Sequence, residues 1–184
     1  MKLELVMPPA AEPVTLAEVK DYLKIDHTNE DSLLLGLIRS GRQACETFVD
    51  RRLVRQVWRC FRNDWGAGPV YLPFSPVLSV EEVAVFMEGN YQPLAPENFV
   101  IDLCSFRPRL VHSNGQAWPM PEIPVAGIRI TFSAGYGDSW NEVPADIRQG
   151  LLHWIAACLE TGEEALGEKR RAEEFWRPYR RVKL

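Results

Sequence analysis

The sequence predicts an α+β fold: a helical bundle with a long central helix, a small mainly antiparallel β region of short strands, and an extended C-terminal tail. Three observations carry this reading. Residues 29–52 form the longest stretch of helical period in the chain and contain no proline. Residues 54–133 break instead into short runs of period two, punctuated by glycine and proline. Helical spacing returns after Pro144. Strands grouped between helices fit an α+β domain and not a wound parallel sheet.

The chain has 184 residues, which suits one domain of ordinary size. Its 46% apolar and 25% charged composition is that of a globular protein and argues against global disorder. The net charge of −4 gives no overall bias toward nucleic acid. Cys45, Cys60, Cys104 and Cys158 are dispersed without a CxxC, and are expected to be buried, reduced thiols. No basic-then-apolar segment opens the chain and no run of 18 apolar residues occurs, so neither a signal peptide nor a membrane span is expected.

Residues 1–13, with three prolines and little period, read as an extended arm. Thr15-Leu16-Ala17-Glu18 is a capping box, and Leu16, Val19 and Leu23 share the face of a first helix over residues 15–23. The long helix follows over residues 29–52, with Thr28 and Asp31 as a capping-box-like start. Leu34, Leu37, Ile38, Gly41, Cys45 and Phe48 line one face, and Arg39, Arg42, Gln43, Glu46 and Asp50 fall mainly on the other. At about 1.5 Å per residue it would be roughly 35 Å long, a strut for the other elements and a candidate partner-facing surface.

The β region covers residues 54–133. Residues 54–63 alternate with bulky side chains on both faces, and 70–72 make a short strand cut off by Pro73. Residues 80–87, 99–103 and 109–111 are further strands, the first ending at Gly89-Asn90. Residues 116–124, with Pro119, Pro121 and Pro124, are a loop, and 125–133 alternate once more. Pro144 fits the first position of a helix over residues 144–160, which Gly162 would end. Residues 163–176 suggest a further, more polar helix stopped by Pro178.

The last sixteen residues carry seven Lys or Arg against Glu173 and Glu174, a charge of +5, so the rest of the chain sums to −9. Phe175, Trp176 and Tyr179 interleave with Arg177, Arg180 and Arg181. Aromatics and arginine anchor protein interfaces, so this segment is the candidate binding site. The division is therefore a domain over residues 1–167 and a basic aromatic tail over 168–184. The alternative is a nucleic-acid-binding module using that tail, with Arg on phosphates and aromatics on bases.

Catalytic chemistry is not expected. His27, His112 and His153 are far apart, with no HExxH and no metal-spaced Cys/His pair. His153 reads as a helix-face residue. Ser113, Ser133 and Ser139 lie outside any GxSxG elbow, and Gly135-Tyr136-Gly137 lacks a phosphate loop's Lys and helix. Asp26, Asp31, Glu81 and Glu82 read as solvated acids. No catalytic residue, metal or cofactor is assigned.

The order of these features resembles the head–tail connector (adaptor, or head-completion) family of tailed bacteriophages and phage-like gene transfer agents. The resemblance rests on Pro13-Val14-Thr15-Leu16-Ala17-Glu18-Val19-Lys20 with Tyr22-Leu23, and on residues 31–53, especially Cys45-Glu46-Thr47-Phe48. Leu72-Pro73-Phe74-Ser75-Pro76-Val77 with Ser79-Val80, and then Trp118-Pro119, continue it. Ala134-Gly135-Tyr136-Gly137 before Val143-Pro144, Ile147-Arg148 and Pro178-Tyr179-Arg180 complete it. The charged run over residues 163–174 departs from the family pattern. The resemblance implies a ring, usually of twelve copies, beneath the portal, extending the DNA channel and joining capsid to tail. It implies the portal protein, a stopper or tail-terminator neck protein and further copies of itself as partners, with double-stranded DNA passing transiently and no membrane involved. The place would be the neck of a virion or phage-like particle, assembled in the bacterial cytoplasm. Portal docking would fall to Phe175, Trp176, Arg177, Tyr179, Arg180 and Arg181.

Overall fold

The computed structural model describes residues 1–105, 107–113 and 117–181. Gln116 of the predicted proline loop and residues 182–184 of the predicted tail lie outside the described residues. The chain divides into two compact units: Met1–Pro8 with Arg55–Gly135, and Pro9–Val54 with Tyr136–Leu184.

The first unit is built of strands: β1 (Lys2–Met7), β2 (Gln56–Arg62), β3 (Val70–Tyr71), β4 (Val77–Met87), β5 (Asn90–Pro93), β6 (Phe99–Asp102), β7 (Arg109–His112) and β8 (Ile128–Ala134). They form a five-stranded sheet of order β1-β2-β8-β4-β5 and a three-stranded sheet of order β3-β7-β6. Their strand pairings are antiparallel. Between its two neighbours, β8 buries Ile128, Ile130, Phe132 and Ala134 in a core shared with Cys60, Val83, Val85, Val70 and Leu110. Arg129, also on β8, makes a two-pronged pair with Glu82 at 3.1 Å for each bond and lies over the Tyr91 ring. Trp65 stacks on Trp118 and donates its indole N–H to the Pro119 carbonyl at 2.8 Å, which pins the proline loop.

Two strands were not expected. β1 sits at a sheet edge with side chains exposed on both faces, so it shows no hydrophobic alternation where an extended arm was read. β5 is four residues long and ends at a proline. The turn before it is one residue earlier than Gly89-Asn90: Glu88 and Gly89 both have positive φ, 53° and 76°, which suits the twist of a two-residue hairpin.

The second unit holds four α-helices: α1 (Leu16–Leu23), α2 (Asp31–Val49), α3 (Ala145–Leu159) and α4 (Gly162–Trp176). The capping box of α1 is as expected: Thr15 Oγ1 accepts from the Glu18 amide at 3.2 Å, and the Thr15 amide donates to Glu18 Oε2 at 2.8 Å. The start of α2 is not. The Thr28 carbonyl, not its hydroxyl, takes the Asp31 amide, and Asp31 pairs with Lys20 Nζ at 2.8 Å. Asp50 ends α2 by turning left-handed, at φ 54°. The helix thus has 19 residues, about 28 Å at the standard rise, and is shorter at both ends than the 29–52 read from period alone. Pro144 precedes α3 as its cap, and Gly162, expected to end that helix, opens α4.

Leu34, Ile38, Cys45 and Val49 of α2 pack with Ile147, Leu151 and Ile155 of α3 and with Val19 of α1. Glu46 is buried among them. Its Oε1 accepts from the Leu53 amide at 3.1 Å, and its Oε2 lies 3.4 Å from Arg42 and 3.9 Å from Arg52. A buried carboxylate is tolerable because it is paired in this way. The four cysteines are free, but only Cys45 and Cys60 are buried; Cys104 and Cys158 are exposed, against expectation. Cys158 lies in the last turn of α3, past Ile155 and Ala156, the last residues of that helix to be buried. Burial pushes the Cys45 thiol well above its ordinary value.

The α+β class therefore stands, with a mainly antiparallel β region. The expected extended tail does not: residues 162–176 are helical, and the 167/168 boundary falls inside α4. Thr15→Ala is expected to remove the α1 cap and cost about 1 kcal/mol, read as a lower denaturant midpoint at unchanged slope.

Candidate partner-binding site

α4 is amphipathic in an economical way: its described buried positions are Ala172 and Trp176. Gly150 of α3 makes room for the indole, since a Cβ there would lie 2.4 Å from Trp176 Nε1. That nitrogen donates to the Ile147 carbonyl at 3.1 Å, and the ring lies 5.9 Å from Phe48. Trp176 is 2% exposed. Read from the sequence as part of an interface anchor, Trp176 instead belongs to the core of its own unit. The half-buried Phe175 stacks on His153 at 5.5 Å between centroids.

A single 3-10 turn, Arg177–Tyr179, carries the chain off the end of α4. Tyr179 reaches Asp146 through its hydroxyl at 3.4 Å, and its carbonyl accepts from Arg51 Nε at 2.6 Å. The Arg180 guanidinium lies 5.5 Å from the Phe48 ring centre. Arg181 is tied down twice, by its side chain to Asp50 at 2.7 Å and by its amide to the Val49 carbonyl at 2.9 Å. Of the six residues proposed from the sequence, Arg177 and Arg180 are exposed, Phe175, Tyr179 and Arg181 are half-buried, and Trp176 is buried. The structure brings all six to one end of α4, with only part of the set presented to solvent.

A neighbouring cluster had no signal in the sequence beyond the helical spacing of its members. His153 Nδ1 lies 2.6 Å from Glu168 Oε2 and 2.9 Å from the Tyr22 hydroxyl. The hydrogen bond from His153 holds the Glu168 carboxyl below the usual carboxylate range, with smaller help from Arg171. Burial, followed by the Glu168 charge, pushes the Tyr22 hydroxyl up. Arg148, one turn earlier on α3, pairs with Glu18 and lies over the Trp140 ring at 4.4 Å. Asp31 and Glu82, read as solvated acids, are both paired as described above. His27 is exposed, and His112 lies beside the Ser113 carbonyl and edge-on to Trp118. Among the described residues, no group of three or more His, Cys, Asp or Glu could hold a metal ion, and no helix is long and apolar enough to cross a membrane.

Trp176→Ala is expected to destabilise the helical unit by about 3–5 kcal/mol, the range for emptying a large buried aromatic site, and to lower its unfolding midpoint. The Glu168 carboxyl binds its proton less readily folded than unfolded, so its contribution to stability is present at neutral pH and lost as pH falls through the carboxylate range. Between about pH 5 and 3, Glu168→Gln should therefore lose less thermal stability than the parent, as measured by thermal unfolding at each pH.

Comparison with known proteins places this geometry. No curated protein matches the chain. The phage gp6-like head-tail connector protein family matches residues 13–95, which span α1, α2 and β2 through β5. Among solved structures, a chain from the "Neck of native GTA particle computed with C12 symmetry" is 25% identical with a TM-score of 0.80. One from the "Neck of empty GTA particle computed with C6 symmetry" is also 25% identical, with a TM-score of 0.78. One from the "Virion of native gene transfer agent (GTA) particle" shares the fold at 22% identity and a TM-score of 0.81. Each match covers 100% of this chain and 97% of the other. Residues 13–95 thus carry the pattern of the phage gp6-like head-tail connector family, and the whole chain is similar in fold to chains of a GTA neck.

Proposed function

We propose that this protein is a structural adaptor subunit in the neck of a virion or gene transfer agent particle, joining capsid to tail. The observation that carries the reading is the likeness, over the full chain, to chains of a GTA neck at 25% identity. The C12 symmetry of one such neck supports twelve copies in a ring that extends the DNA channel beneath the portal. A closed ring of identical subunits uses the same two patches on every copy. The acidic balance of the chain outside its last sixteen residues favours a channel wall that lets DNA slide instead of gripping it. Assembly in the bacterial cytoplasm, with a stopper or tail-terminator protein seated next, completes the proposal.

Portal docking is assigned to the end of α4 and the turn after it. Arg177 and Arg180 project, Phe175, Tyr179 and Arg181 form a half-buried base, and Trp176 holds that base on α3 from within. The competing reading, nucleic-acid binding through the same segment, draws less support: Trp176 is enclosed and Phe175 is stacked on His153, so the aromatics offer bases little open ring.

The double variant Arg177→Ala with Arg180→Ala should weaken binding to the particle's portal protein about tenfold or more, with an unchanged unfolding midpoint. Unchanged portal affinity would end the docking assignment. A strongly salt-dependent affinity for duplex DNA, lost in the same variant, would favour the competitor.

A further inference from the structure

The five-stranded sheet leaves two edges that fit each other. β1 is one: Leu5, Val6 and Met7 are 44%, 43% and 60% exposed in an unbroken apolar run, beside a row of backbone groups that no described strand pairs. The other is the first half of β4. β5 covers only Ala84–Met87, so no described strand pairs the outer edge of residues 77–82. A groove runs along that edge, walled by Val80 and Glu81 on one side and Leu94, Phe99 and Ile101 on the other. Apolar strand edges left open invite another strand.

We infer that β1 of one copy adds to the β4 edge of the next, making the seam between subunits of the proposed ring. This rests on the reading of the chain as a ring subunit. Direction and chemistry agree. The strands of the sheet alternate in direction through β1, β2, β8 and β4, so a neighbouring sheet in the same orientation presents β1 antiparallel to β4. In an antiparallel approach Lys2 comes to the Glu81 end of the open edge and Leu5 to the Leu78 end, the two positions at which β4 bulges out of its pairing with β8. The first is a pair of opposite charges and the second joins two exposed leucines. Met1–Met7 then end short of Ala84, where β5 begins to pair. The contact is heterologous: each copy uses a different edge toward each neighbour, as a closed ring requires.

The test is a disulfide across the seam in the full chain. Leu5→Cys and Leu78→Cys are introduced together, with the exposed Cys104→Ser and Cys158→Ser to remove competing thiols. Within one copy the two positions are three strand spacings apart, about 14 Å, too far to bridge. On mild oxidation the double-cysteine protein should give a non-reducing ladder that extends past dimer toward the full ring, whereas each single-cysteine protein stops at dimer. If sedimentation shows the oxidised protein assembling into rings but no ladder forms, the seam lies elsewhere and the ring reading survives. If the protein remains monomeric at high concentration and gives no ladder, both the seam and the self-assembling ring are rejected.

Discussion

The helical unit depends on one contact, the Trp176 indole lying in the gap that Gly150 leaves on α3. α4 is strongly charged and has little else to bury, since Ala172 is its other described buried residue. A glycine at that point lets the largest side chain enter, and the Ile147 carbonyl satisfies its only polar atom. The consequence runs forward along the chain. With Trp176 held, the next turn is placed so that the Arg181 amide reaches the Val49 carbonyl and its guanidinium reaches Asp50. The end of α2 and the segment just after α4 are joined by these bonds, and Asp50 serves both as the left-handed cap of α2 and as the partner of Arg181.

Charge in this molecule has two uses. Inside, carboxylates are spent on backbone and guanidinium groups: Glu46 on Leu53, Arg42 and Arg52, Glu18 on the α1 cap and Arg148, Glu82 on Arg129. Of these carboxylates Glu46 is the buried one, and removing its partners would strand a charge in a poorly hydrated place. Outside, Arg177 and Arg180 after α4 are exposed.

Much of the helical half was legible in the sequence, because capping and period are local. Thr15 and Glu18 marked α1, the apolar spacing marked α2 and α3, and even the polar α4 was visible before Pro178. The β half was legible wherever one face is buried, as in β2, β4 and β8. It was not legible in β1, whose side chains are wet on both faces and whose partner lies more than fifty positions away. Helix ends were misjudged where a residue found a tertiary partner: Asp31 chose Lys20 over the α2 cap. Within the candidate segment the inner and outer members could not be told apart, because composition does not show which aromatic faces a glycine.

By itself, the sequence determined the α+β class, the four helical stretches and most of the strands, since each rests on residues close together in the chain. Tertiary structure decided the rest: that the basic aromatic segment begins as a helix folded onto α3, that Trp176 is core and Arg177 is surface, and that the first residues close one edge of a sheet and leave another open. Those outcomes depend on contacts between residues distant in the chain, where the free energy of burial is set by what arrives on the other side.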